Sequence, residues 1–135
     1  MNPEFIINEE LGKLISNVVK KFPSDKKRSA VIESLLILQH HNNGYVTKNI
    51  IKALSDYLLV SEIDIYEVAT FYTMINIDPV GRNVISVCNN ISCMLRGSDE
   101  ILSHIEDKLK IKVGESTKDN KFYLKDEIEC LAACN

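Results

Sequence analysis

Val84-Ile85-Ser86-Val87-Cys88-Asn89-Asn90-Ile91-Ser92-Cys93 decides the fold when it is set beside Phe122-Tyr123-Leu124-Lys125-Asp126-Glu127-Ile128-Glu129-Cys130-Leu131-Ala132-Ala133-Cys134. Each stretch begins as a short run with strand character and ends in two cysteines, spaced C-x4-C in the first and C-x3-C in the second. The predicted strands are Val84–Cys88 and Phe122–Glu129, with Phe122, Leu124 and Ile128 on one side of the second. For four sulfurs to meet, the carboxyl ends of both strands must lie together. Neighbouring strands then run parallel, and a parallel pair needs a crossover. Ser98–Leu109 supplies one, with Ile101, Leu102, Ile105 and Leu109 at helical spacing. The expectation is a βαβ unit with both cysteine pairs in loops at one end. Lys118-Asp119-Asn120 reads as a turn, and Ile111–Val113 as a short strand or the end of a connection.

Upstream, residues 1–78 read as helical. Ile7, Leu11, Leu14, Ile15, Val18, Val19 and Phe22 form one apolar stripe, with Glu9 and Glu10 in the first turn, Lys20 and Lys21 in the last, and Pro23 as the stop. A second helix is expected from about Asp25 to Asn42, carrying Val31, Ile32, Leu35, Leu36 and Leu38, with Gly44 at its C-terminal cap. Thr47 caps a third helix with Ile50, Ile51, Leu54 and Leu58. Ser61 caps a fourth, with Asp64 as a capping-box variant, Val60 and Ile65 as a hydrophobic staple, and Val68, Ala69, Tyr72 and Ile75 along it. Four amphipathic helices with short connections make a small bundle. The fold class expected is α+β, a helical domain over 1–78 followed by a cysteine-bearing α/β domain over 79–135.

Composition sets the outer limits. The chain has 135 residues, is 45% hydrophobic and 26% charged, and carries a net charge of −3, an ordinary globular balance that disfavours nucleic acid as a partner. Apolar runs such as Leu35–Leu38 are far short of the roughly 20 residues a membrane span needs. Met1-Asn2-Pro3-Glu4 does not open a signal peptide. Without a sign of export the thiols stay reduced, so metal ligation is favoured over disulfides.

Two metal chemistries stay open on spacing. Structural zinc favours tight C-x2-C knuckles around one ion. A [2Fe–2S] cluster has two irons that each take two thiolates, and wider loops suit it. Free structural thiols or a disulfide are the third reading. A thiol-redox enzyme would need C-x-x-C, which neither pair provides. The histidines (His40, His41, His104) read as surface imidazoles, and Tyr66, Phe71 and Tyr72 as packing or partner surface rather than an electron relay. Backbone N–H groups of Asn89–Ser92 and Leu131–Ala133 are the expected donors to the sulfurs. Arg96 would favour an extra electron on such a centre, and Asp126, Glu127 and Glu129 would disfavour it, unless all are merely solvated.

Further residues carry a resemblance. Tyr66-Glu67-Val68-Ala69-Thr70-Phe71-Tyr72-Thr73-Met74 followed by Pro79-Val80-Gly81 resembles the signature of the 24-kDa subunits of respiratory NADH dehydrogenase, complex I, which are thioredoxin-like [2Fe–2S] ferredoxins. Arg28-Ser29-Ala30-Val31-Ile32, Val87-Cys88, Cys93, Leu95-Arg96-Gly97-Ser98, Gly114-Glu115-Ser116-Thr117, Glu129-Cys130-Leu131 and Ala133-Cys134 extend it over almost the whole chain, in order. The same module occurs in NAD-linked hydrogenases and formate dehydrogenases.

The resemblance implies a helical amino-terminal part, a thioredoxin-like domain and one [2Fe–2S] cluster. It implies that Cys88 and Cys93 hold one iron and Cys130 and Cys134 the other. It further implies a flavoprotein partner carrying FMN and NADH, electron exchange with that FMN, and no substrate site for NADH or quinone on this chain. The location implied is the bacterial cytoplasm, peripheral to the inner membrane through the complex, with no insertion into the membrane. Three departures stand out. Ala132 replaces a family glycine, a substitution that is strained if the position takes a positive φ. Ser92 replaces a frequent proline. The chain ends one residue past Cys134, where the family continues with a β-hairpin and a short helix, so the ferredoxin domain is expected to be C-terminally truncated and to lack that hairpin.

Overall fold

Helix α1 (Glu9–Val19) starts where the Asn8 side chain accepts a hydrogen bond from the Leu11 N–H at 2.9 Å. It opens the first of two compact units, Met1–Pro79 and Val80–Asn135, in a computed structural model that describes residues 5–125 and 130–132. The helix is shorter than its apolar stripe. Leu11, Ile15 and Val18 are buried but Leu14 is 39% exposed, and Lys20 is the C-cap, so no basic residue occupies the last turn.

The second helix also begins later than expected. Lys26 leaves helical backbone (φ −115°, ψ 35°), and the chain tightens into a 3-10 turn, Lys27–Ala30, before α2 (Val31–His41). Gly44 then donates its N–H to the Gln39 carbonyl at 2.9 Å with φ 92°, closing the helix end as a left-handed cap does. Helix α3 (Lys48–Leu58) is capped by Thr47, whose hydroxyl accepts from the Ile50 N–H at 3.3 Å. Helix α4 (Glu62–Phe71) is capped by Ser61, which accepts from the Asp64 N–H at 3.3 Å and donates its own proton to the Asp64 carboxylate at 2.8 Å. Tyr72 turns extended (φ −89°, ψ 113°) and ends α4. Ile75 is therefore buried from a turn and not from the helix.

These four helices share one apolar core. Leu11 and Ile15 meet Val31, Leu35 and Leu38, with Ile50, Ile51, Leu54 and Leu58 from α3 and Ile65 and Ala69 from α4. Gln39 ties the segment after α4 back to α2. Its amide donates to the Met74 carbonyl at 3.0 Å and accepts from the Asn76 N–H at 2.7 Å.

The second unit runs β1 (Asn83–Ile85), α5 (Ile91–Met94), α6 (Ser98–Leu109) and β2 (Phe122–Leu124). The strands pair in parallel, Asn83 opposite Phe122, Val84 opposite Tyr123 and Ile85 opposite Leu124, as two cysteine loops at one end require. Both strands are shorter than predicted. The ladder closes with the Lys125 N–H on the Ile85 carbonyl at 2.9 Å, leaving Ser86–Cys88 beyond it, while Ile128 lies outside the described residues. Ile111–Val113 is not a strand. The segment turns there, and residues 114–117 bond back along β2, with Gly114 donating to the Leu124 carbonyl at 2.8 Å and Thr117 to the Phe122 carbonyl at 2.8 Å. Gly81 fits this crowding, because a Cβ there would stand 2.5 Å from the Phe122 backbone carbon. Only a residue without a side chain lets the chain enter β1 so close to β2.

Candidate metal centre

Beyond the last ladder bond, both chains run on towards cysteines. Cys88 lies three residues past β1, and Cys93 lies in α5, the one-turn helix inside the C-x4-C loop. That helix was not expected from the sequence. Its signal is a backbone one: the Asn90 carbonyl accepts the N–H groups of both Cys93 and Met94 at 2.9 Å, with no side-chain cap to mark the start. The turn folds the loop so that the Asn90 N–H donates to the Cys88 sulfur.

The Cys88 sulfur is the meeting point. The Cys93 thiol, the Leu131 N–H and the Cys130 thiol also reach it. Together these hold the Cys88 thiol below its ordinary pKa, against the opposing effect of burial. The Ala132 N–H in turn donates to the Cys130 sulfur at 3.4 Å. Ala132 achieves this at φ 51°, the left-handed region in which a side chain is strained.

The structure thus brings Cys88, Cys93 and Cys130 together, with Cys88 and Cys93 half-buried and Cys130 exposed. Cys134, Asp126, Glu127 and Glu129 lie outside the described residues. Among the described residues, no group of three or more His, Cys, Asp or Glu is arranged to hold a metal ion. His40 and His41 stand at the end of α2, ring edge against ring face at 5.9 Å, and His104 is exposed on α6.

The donor set suits a soft, electron-rich centre. Thiolates are the preferred ligands of iron–sulfur clusters, and peptide N–H groups aimed at sulfur stabilise the negative charge that such a centre gathers. Asn90, Leu131 and Ala132 supply three such donors from the two loops. Beside Cys88 and Cys93 opens a cavity of about 570 Å³, walled by Val87, Ile101 and Ile105 and edged by Arg96. Ser98 also lines it. That side chain is 6% exposed, and its hydroxyl has no hydrogen-bond partner. The sequence marks Ser98 only as the start of α6, because burial of a first-turn hydroxyl leaves no local signal. Ile91, Met94, Leu95 and Leu131 are exposed around the cysteine loops.

Comparison with known proteins agrees with this donor set. The profile of the thioredoxin-like [2Fe-2S] ferredoxin family matches residues 15–135. The E subunit of NADH-quinone oxidoreductase from Rickettsia prowazekii (strain Madrid E) is 43% identical over 133 residues, which covers 98% of this chain and 75% of the relative. Its counterpart from Rickettsia bellii (strain RML369-C) is 46% identical over 121 residues, covering 90% of this chain and 72% of the relative. The mitochondrial NADH dehydrogenase [ubiquinone] flavoprotein 2 of Dictyostelium discoideum is 39% identical over 120 residues, 89% of this chain and 48% of that protein.

Proposed function

Because this chain belongs to the thioredoxin-like [2Fe–2S] ferredoxin family, we propose that it is an electron-transfer subunit of respiratory complex I. It carries one [2Fe–2S] cluster and exchanges electrons with the FMN of an NADH-oxidising flavoprotein partner. Cys88 and Cys93 hold one iron; Cys130 and Cys134 hold the other. The observation that carries the reading is the match of the thioredoxin-like [2Fe-2S] ferredoxin family over residues 15–135, supported by cysteine loops that leave the same end of two parallel strands.

The cluster supplies a site that takes and gives one electron at a time. The chain's own residues do the rest. The N–H groups of Asn90, Leu131 and Ala132 orient towards sulfur and favour the thiolate form. The parallel ladder fixes where both loops emerge. Chemistry on NADH and quinone belongs to other subunits. Among the described residues no helix is long and apolar enough to cross a membrane, and we place the chain in the peripheral arm, on the cytoplasmic side of a bacterial inner membrane. Exposed apolar side chains on and after α4, among them Phe71 at 77% and Met74 at 55%, support a role in docking other proteins of the complex.

Anaerobically purified protein should be red-brown, hold about two irons per chain and give an EPR signal when reduced. Stoichiometric zinc without iron after such a preparation would overturn the reading and leave a zinc-stabilised interaction module in its place. An isolated flavoprotein partner from a hydrogenase or formate dehydrogenase operon, binding this chain in preference to a complex I partner, would move the host complex but keep the cluster.

A further inference from the structure

We infer that Ser98 is a hydrogen-bond donor to a sulfur of the bound iron–sulfur centre and that it raises the reduction potential of that centre. The inference rests on the [2Fe–2S] function proposed for this chain.

A buried hydroxyl without a partner costs about 1–3 kcal/mol, so native structures rarely keep one without a use. Two such hydroxyls occur among the described residues, Ser34 and Ser98. Their settings differ. Ser34 is fully buried inside α2 in the helical unit. Ser98 is the first residue of α6, and its buried side chain lines the same cavity as Cys88 and Cys93.

Local partners for Ser98 are missing for a geometric reason. A serine inside a helix commonly bonds to the carbonyl three or four residues earlier. Gly97 has φ 94°, so the chain swings away just before α6, and no such bond forms. Of the rest of the wall, Ile85, Val87, Ile101 and Ile105 are apolar, and Arg96 has only donors to give. The Ser86 and Ser92 hydroxyls also line the cavity and could accept, but Ser98 bonds to neither. The protein sulfurs of Cys88 and Cys93 share the cavity, yet neither takes the bond. An acceptor that would enter the cavity with the centre is the centre's own sulfur, held at those cysteines. A donor aimed at sulfur stabilises the electron-rich reduced form more than the oxidised form, so the potential rises.

The test uses the full, cluster-loaded chain in an EPR-monitored redox titration. Ser98→Ala should lower the reduced-to-oxidised ratio at a fixed potential about threefold to tenfold, equivalent to about 30–60 mV at 59 mV per decade for one electron. Ser98→Thr, which keeps the hydroxyl, should stay with the parent chain, and Ser98→Val, its isostere without the hydroxyl, should fall with Ser98→Ala. Ser34→Ala should leave the ratio unchanged. Electron–nuclear double resonance should show one exchangeable proton coupling lost in Ser98→Val and present in Ser98→Thr. Equal potentials for Thr and Val at this position would overturn the role. So would equal shifts from Ser34→Ala and Ser98→Ala, or loss of cluster in all three Ser98 variants, which would make the position one of shape alone. A parent chain without iron would instead overturn the proposed function and leave no potential to tune.

Discussion

The two units bury their residues very differently. Among the described residues, the helical unit buries fifteen apolar side chains, while the cysteine unit buries only Ile111 and Leu124. Each buried aliphatic side chain contributes about 1.5–3 kcal/mol. The first unit therefore has a core that can hold it, drawn from all four helices. The second is held by a three-residue parallel ladder, loop hydrogen bonds and the convergence of its cysteines. Small units with thin cores commonly rely on a metal or another cross-link. The contrast teaches that stability and chemistry are divided here, with the apolar core in one unit and the proposed cluster site in the other, which has little core of its own.

The largest expected effect breaks the contrast by removing metal. Chelation should cut hydrogen-exchange protection at the Ile85, Leu124 and Lys125 amides about a hundredfold or more, while those of α2 and α3 stay unchanged. Equal loss in both units would show that the helical core is not self-sufficient. Next is the reverse experiment. Leu54→Ala in the helical core should cost about 2–5 kcal/mol on chemical denaturation and leave the EPR line shape of the centre as it was.

A smaller effect sharpens the account of the cysteine loop. Ala132→Gly relieves the left-handed strain at φ 51°, partly offset by the greater freedom of glycine in the unfolded chain. A net gain of about 0.5–1 kcal/mol should slow iron loss to a chelator about twofold to fivefold. Unchanged or faster loss would count against strain at this turn. The smallest effect is Glu106→Gln. The Lys112 ammonium, and then the Val113 N–H, hold the Glu106 carboxyl below its ordinary value. Its contribution is present above the unfolded carboxylate range and fades as pH falls through the depressed folded value. The variant should therefore show a flatter acid limb in a stability-against-pH titration, with a small loss of stability near neutral pH that disappears in acid.

What the sequence shows depends on how local each feature is. Thr47 and Ser61 are legible as caps because the hydroxyl bonds to an N–H three residues away. The parallel pairing is legible for a different reason, since two cysteine pairs can meet only if their strands end together. Features set by the backbone or by distant packing leave no such mark. The turn of α5 depends on the Asn90 carbonyl, a group every residue has. Leu14 fits the apolar stripe of α1 and is exposed all the same, because spacing marks a face but not how much of it a neighbour covers. Ile75 continues the period of α4 after the helix has ended. In the candidate site, three cysteines and the loop donors could be read in advance. The orphan Ser98 hydroxyl could not, since its meaning lies in what surrounds it.

The crossover between the strands also sets an order in time. Cys88 and Cys93 are joined by a loop of a few residues with its own helical turn, so they can come together almost as soon as that segment leaves the ribosome. Cys130 can join them only after the chain has run through α6 and returned to pair β2 with β1, a longer loop with a slower closure. For that interval the first two thiols stand paired and exposed. The proposed ligand set is therefore completed in two stages, and the interval between them is the folding time of one crossover.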